Sequence, residues 1–143
     1  PLFDEPMKLA VYSGHPWHNR ERVPMSDLAG EKLLMLQDGH CLRDQALGFC
    51  FSAGADEDTH FRATSLETLR NMVAAGSGIT LMPSLAVPNE RERDGVCYIT
   101  CDKPVPQRTI ALIYRPGSPL RSRYEQLAET ISAHMFASGQ ISK

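Results

Sequence analysis

The sequence predicts an α/β protein of about one domain's length, and three features lead there. The 143 residues leave room for a single sizeable core. Short apolar runs bounded by turn residues recur along the chain, as buried strands require. Between them lie segments whose apolar residues repeat with the helical period, and strands alternating with helices build an α/β sheet.

Taken in order, Met7 to Ser13 reads as a strand ended by the turn at Gly14 and Pro16, and the polar stretch from His15 to Asp27 as loop. Leu33 to Leu36 is a continuous apolar run, short enough for a buried strand. After Asp38-Gly39-His40 the pattern turns helical: Leu42, Ala46, Phe49, Cys50 and Ala53 share one face, and Gly54 closes the helix. Thr59 to Ala63 is a strand. Thr64 is expected to N-cap the next helix, with Glu67 reaching back; Leu66, Leu69 and Val73 line that helix and Gly76 stops it. Ile79 to Met82 is a strand ended by Pro83, polar residues run from Asn89 to Gly95, and Val96 to Ile99 and Arg108 to Tyr114 are further strands. Ser118-Pro119 opens a last helix as N-cap and first residue, with a stripe of Leu120, Tyr124, Leu127, Ala128, Ile131 and Met135. Ala137 to Lys143 is expected to fray.

Composition narrows the function. Hydrophobic residues make up 42% and charged residues 22%, and the formal net charge is -2. Lys and Arg are scattered, without the basic face of a nucleic-acid binder. No apolar run reaches the roughly 20 residues that cross a bilayer, and the start is neither basic nor continuously apolar, so neither membrane span nor signal peptide is expected. The chain reads as a fragment of something longer. Its four cysteines are expected to be reduced and cytoplasmic, a setting in which a disulfide is transient and serves catalysis or sensing.

Cys41 sits at a helix start, where unpaired N–H groups and the helix dipole favour an anion; His40 and Arg43 add positive character. A thiolate there could attack a peroxide O–O bond, although many helix-start cysteines are inert. Cys50 lies on the apolar stripe, where a cysteine also packs as a small hydrophobe. The pair is more informative. Nine residues of continuous helix mean about 180° of rotation and about 13.5 Å of rise, whereas a disulfide needs Cα atoms within about 7 Å. The two can join only if the helix unwinds, and Gly48 weakens it by roughly 1 kcal/mol relative to Ala. Such a segment is bistable, as a switch must be. Cys97 and Cys101 lie on the same face of a strand and read as buried thiols or, less well, as ligands lacking matching partners. The histidines show no metal spacing, and Gly76-Ser77-Gly78 follows a helix, the reverse of a phosphate cradle.

The run from Ser65 to Pro83, Ser-Leu-Glu-Thr-Leu-Arg-Asn-Met-Val-Ala-Ala-Gly-Ser-Gly-Ile-Thr-Leu-Met-Pro, resembles the helix-turn-strand of LysR-type regulatory domains. The segment from Asp38 to Phe51, Asp-Gly-His-Cys-Leu-Arg-Asp-Gln-Ala-Leu-Gly-Phe-Cys-Phe, is more specific and resembles the redox segment of the OxyR family of peroxide sensors. The similarity extends from Pro1 to about Phe136. It implies a periplasmic-binding-protein-like fold of two α/β lobes. Residues 1–109 would be the second lobe with its hinge strand, 110–137 the returning segment and C-terminal helix of the first lobe, and 138–143 a flexible tail. The winged helix-turn-helix DNA-binding domain and most of the first lobe would be absent.

By the same resemblance Cys41 matches the peroxide-reactive cysteine and Cys50 its resolving partner. His40 and Arg108 match neighbours that support the thiolate. The implied partners are hydrogen peroxide, further copies of the chain (a dimer, and a tetramer in the full-length protein), and glutaredoxin with glutathione as reductant. DNA and RNA polymerase would be reached only through the full-length protein. No cofactor or metal is implied, and the resemblance assigns no role to Cys97 or Cys101. A redox-sensing regulatory module, not an enzyme, is thus the expectation. The alternatives are a LysR-type domain binding a small organic effector, which has no need of the Cys41/Cys50 pair, and a thiol enzyme.

Overall fold

The computed structural model describes residues 1–141. Two compact units divide the chain: residues 7–106 form one, and residues 1–6 with 107–143 form the other. Strand β1 (Phe3–Tyr12) begins in the second of these and continues into the first.

In the larger unit β1 is central, antiparallel on one side to β5 (Thr80–Pro83) and on the other to β7 (Val96–Cys101). Beyond β7 lie the two-residue strands β2 (Arg22–Val23), parallel to it, and β6 (Glu92–Arg93), antiparallel. β3 (Lys32–Leu36) and β4 (Asp56–Ala63) form a parallel ribbon, with a register shift between Leu33 and Met35. The ribbon meets β5 through a bridge between Leu33 and Ile79, and the Thr80 hydroxyl donates to the Leu34 carbonyl at 2.7 Å.

The continuous apolar run of β3 is explained by burial: Leu33 to Leu36 are all shielded, as in a strand covered on both faces. Helix α1 (Cys41–Ser52) packs on β3 and β4, and α2 (Leu66–Ala74) on the same ribbon and on β7. Leu9, Val11, Leu34, Met82 and Ile99 are core residues. Asp94 (φ 50) and Gly95 (φ 84) link β6 to β7 through two consecutive left-handed residues, as a tight hairpin needs.

Several expected boundaries move. The cap of α2 is Ser65, not Thr64: the Ser65 hydroxyl accepts from the Thr68 backbone N–H at 3.1 Å, while Glu67 turns to pair with Arg70. The first strand starts at Phe3, four residues early, because its opening residues pair with β8 (Gln107–Ile110). β8 ends at Ile110 rather than Tyr114, with Ile113 89% exposed. The last helix, α3 (Arg121–Ala137), begins after a turn holding Pro119. The Ser118 hydroxyl accepts from the Leu120 N–H there, and no side chain caps the helix. These parts belong to the smaller unit, in which α3 has no buried residue and Ile141 is buried. Of the expected fraying tail, residues 142–143 lie outside the described residues. No helix among the described residues is long and apolar enough to cross a membrane.

Candidate functional site

Helix α1 begins where β3 ends. Gly39 makes the turn with φ 92, a left-handed conformation that glycine adopts without a Cβ penalty. His40 follows in extended conformation as N-cap, half-buried, and its side chain makes no capping hydrogen bond; its carbonyl accepts from the Arg43 N–H at 3.0 Å. Cys41, the first helical residue, is exposed and its thiol is free. The opening turn of α1, with its outward N–H groups and no side-chain cap, is an environment suited to an anion.

Cys50 lies nine residues on, fully buried, with a free thiol. Burial among apolar neighbours pushes that thiol up to about 12, because its charged form would lose water with nothing in exchange. The helix between the two is unbroken, so about 13.5 Å of rise keeps them outside disulfide reach. Leu42, Ala46 and Cys50 face the core as the stripe requires, whereas Phe49 and Ala53 are only half-buried. Gly48 is exposed, and a Cβ built there would meet nothing within 4 Å.

Arg43 was expected to lend charge to Cys41. Instead it is buried and spent elsewhere. Its Nη1 and Nη2 donate to the two oxygens of Glu57 on β4 at 2.7 and 2.6 Å, and Nη1 also donates to the Leu36 carbonyl at 2.9 Å. Asp38 (3.1 Å to Arg43 Nε) and Arg62 (3.1 Å from its Nε to Glu57) complete the cluster. The Arg43 hydrogen bonds, outweighing burial, hold Glu57 below the usual carboxylate range, and the same pairing raises Arg43. This cluster was missed in the sequence. Its one visible sign is a charged residue beside Leu42 on the inner side of an amphipathic helix.

Arg108 belongs to the smaller unit. It sits opposite Glu5 in the β1–β8 register, and its Nε donates to the fully buried Glu5 carboxylate at 2.7 Å. Cys41 and Cys50 are thus brought onto one helix with His40 as its N-cap, and Arg108 is held by a carboxylate of its own unit. Cys97 and Cys101 are buried on β7. The Cys97 thiol donates to the His18 carbonyl at 3.3 Å, and burial raises both thiols, Cys101 to about 11. Among the described residues no three His, Cys, Asp or Glu side chains converge as a metal site would need.

Comparison with known proteins places this geometry. The model of the LysR substrate binding domain matches residues 1–136. The hydrogen peroxide-inducible genes activator of Pectobacterium carotovorum subsp. carotovorum is 84% identical over 135 residues, covering 94% of this chain and 45% of that protein. The crystal structure of the reduced form of OxyR superposes with a TM-score of 0.85 at 76% identity, covering 94% of this chain and 63% of that one. The oxidized form gives 0.81 at 81% identity, covering 94% and 64%. The chain therefore spans less than half the length of its curated relative and under two thirds of the solved regulatory domains. Its α/β architecture is that of the periplasmic-binding-protein-like OxyR regulatory domains. On the match over residues 1–136, the chain belongs to the LysR substrate binding domain family.

Proposed function

We propose that this chain is the redox-sensing part of a hydrogen-peroxide-responsive transcription regulator, with Cys41 as the attacking thiol and Cys50 as the resolving one. One observation carries the reading: an exposed helix-start cysteine and a buried cysteine share a single continuous helix that must open before they can bond. The relatives' names, a peroxide-inducible activator and a regulator solved in reduced and oxidized forms, point the same way.

The chemistry balances without a cofactor. The Cys41 thiolate attacks one peroxide oxygen; the S–O bond forms as the O–O bond breaks, and hydroxide leaves to take a proton and become water. Within α1 the Cys50 thiol is almost entirely protonated at neutral pH, so the sulfenic acid waits. Once the helix opens, Cys50 returns towards an ordinary thiol near 8.5 and attacks the Cys41 sulfur. The S–S bond forms, the S–O bond breaks, and the oxygen departs as water with the Cys50 proton. The reopened segment is the signal.

In this reading residues 1–109 are the second lobe of a regulatory domain with its hinge strand, residues 1–6 and 107–109 of it lying in the smaller unit, and 110–137 return to the first. His40, beside Cys41 at the helix start, supports the thiolate, while Arg108 is held by Glu5 in its own unit, and the chain acts as a regulator rather than a turnover enzyme. Dimer or tetramer assembly, promoter DNA, RNA polymerase and reduction by glutaredoxin with glutathione are functions of the full-length cytoplasmic protein. Peptide mapping by mass spectrometry after one equivalent of peroxide tests the proposal. A Cys41–Cys50 linkage is expected, with Cys50→Ser stopping at a sulfenic acid that a dimedone-type probe traps on Cys41. Unlinked thiols in the full-length protein would overturn it.

A further inference from the structure

The start of α1 is tied down by groups that the thiol chemistry does not use. Through Arg43, two residues after Cys41, the first helical turn is bonded to Glu57 on β4 and to the carbonyl of Leu36 at the end of β3. Asp38, in the turn leading into the helix, bridges Arg43 and Arg62. The far end is fixed independently. The Ala55 N–H donates to the Cys50 carbonyl at 2.8 Å and the Gly54 N–H to the Phe51 carbonyl at 3.1 Å, with Gly54 at φ 78, a Schellman closure. With both ends pinned, melting the residues between them leaves the two sulfurs where they were. One end must let go.

The two ends differ in what release exposes. Freeing Cys50 opens the apolar core, where it is fully buried. Freeing the start returns Arg43 to water and leaves Glu57 paired with Arg62 on β4, so neither charge is left buried and alone. The approach to this end, Gln37 to Gly39, is already exposed. We propose that the buried Arg43–Glu57 pair is a latch on the thiol form: Cys41 reaches Cys50 only after Arg43 leaves Glu57, so these two residues set how readily the bridge forms. They are positioning residues, acting through α1 and not on peroxide. The inference rests on the redox reading above.

The test uses the full-length protein, titrated in mixtures of reduced and oxidised glutathione, in which glutathione takes up or supplies the two electrons of the Cys41–Cys50 couple. Glu57→Gln removes the charge with little change of shape. It is expected to require a roughly tenfold more reducing mixture for half-reduction, about 30 mV for a two-electron couple. It should lower the melting temperature of the thiol form and leave that of the disulfide form unchanged, a split that a purely structural role would not give. Should Glu57→Gln not fold, Asp38→Asn, at the exposed rim of the cluster, is expected to shift the couple two- to threefold in the same direction. No shift with equal losses in both forms, or no shift in a folded Asp38→Asn when Glu57→Gln fails, overturns the latch. If the wild-type protein itself forms no 41–50 bridge, the redox reading falls and the latch with it. If the wild type bridges normally, only the latch is in question.

Discussion

Glu57 is a buried carboxylate that stays ionised because Arg43 grips both its oxygens. Its folded value lies below the unfolded one of about 4.3, so the stability it contributes is complete above that value and is lost as the pH falls through the folded value. The melting temperature of the wild-type thiol form is therefore expected to start falling as the pH drops below about 5 and to go on falling until the folded value is passed. Glu57→Gln should start lower, by about 1.4 kcal/mol, the tenfold redox shift expressed as stability, and change less over that range; thermal melts at several pH values decide it. The cysteines give a second expectation. At about pH 8, Cys41 should be alkylated quickly and Cys50 slowly, since only roughly one Cys50 in ten thousand is then thiolate within the folded helix. Cys97 and Cys101, also buried and raised, should follow Cys50. Mass spectrometry of a timed alkylation measures this, and equal rates at Cys41 and Cys50 would mean that α1 is already open. None of this charge pairing could be read along the chain, because Arg43 and Glu57 lie on different elements and meet only once α1 packs on the ribbon.

At the scale of the helix, α1 balances on its own propensity. Gly48 is exposed, lies inside the helix and has space for a methyl group. Gly48→Ala should stabilise α1 by about 1 kcal/mol, which corresponds to roughly a fivefold shift of the redox equilibrium towards the thiols. The same glutathione titration reads the shift, and no change would place the opening outside the middle of α1. The extent of α1 was legible in the sequence because its signals are local: a Gly-His entry, a helical stripe from Leu42 to Cys50, and a stop at Gly54. The α2 cap was misplaced by one residue, since Thr64 and Ser65 are both able caps and only backbone geometry chooses between them. The strand expected to reach Tyr114 shows the limit of apolar runs, for β8 pairs with β1 only through Ile110. Beyond that point periodicity alone could not show that pairing ends.

Across the whole chain the larger unit closes a core while leaving Phe51 and Phe61 exposed on its surface, and the smaller one leaves the apolar stripe of its helix largely in water. Ile113 is 89% exposed, Leu127 47% and Leu120 44%, and no residue of α3 is buried. Curated relatives run to more than twice this length, and we expect part of that additional length to cover the α3 stripe. Ile131→Asp should then lower the melting temperature of the full-length protein, by about 2 kcal/mol or more for a charge placed in a packed face, and an unchanged melt would show the face to be open. The alternating strands and helices, and so the α/β class, were legible at this scale; the division into two units was not derivable from periodicity, because β1 runs without interruption through both. What unites the scales is a helix that keeps two thiols apart until it opens. Hydrogen exchange of the full-length protein before and after stoichiometric peroxide tests this most directly. Loss of amide protection across residues 41–52 accompanying the new disulfide, with β1, β5 and β7 unchanged, is the expected result. A disulfide between Cys41 and Cys50 with α1 still fully protected would contradict it.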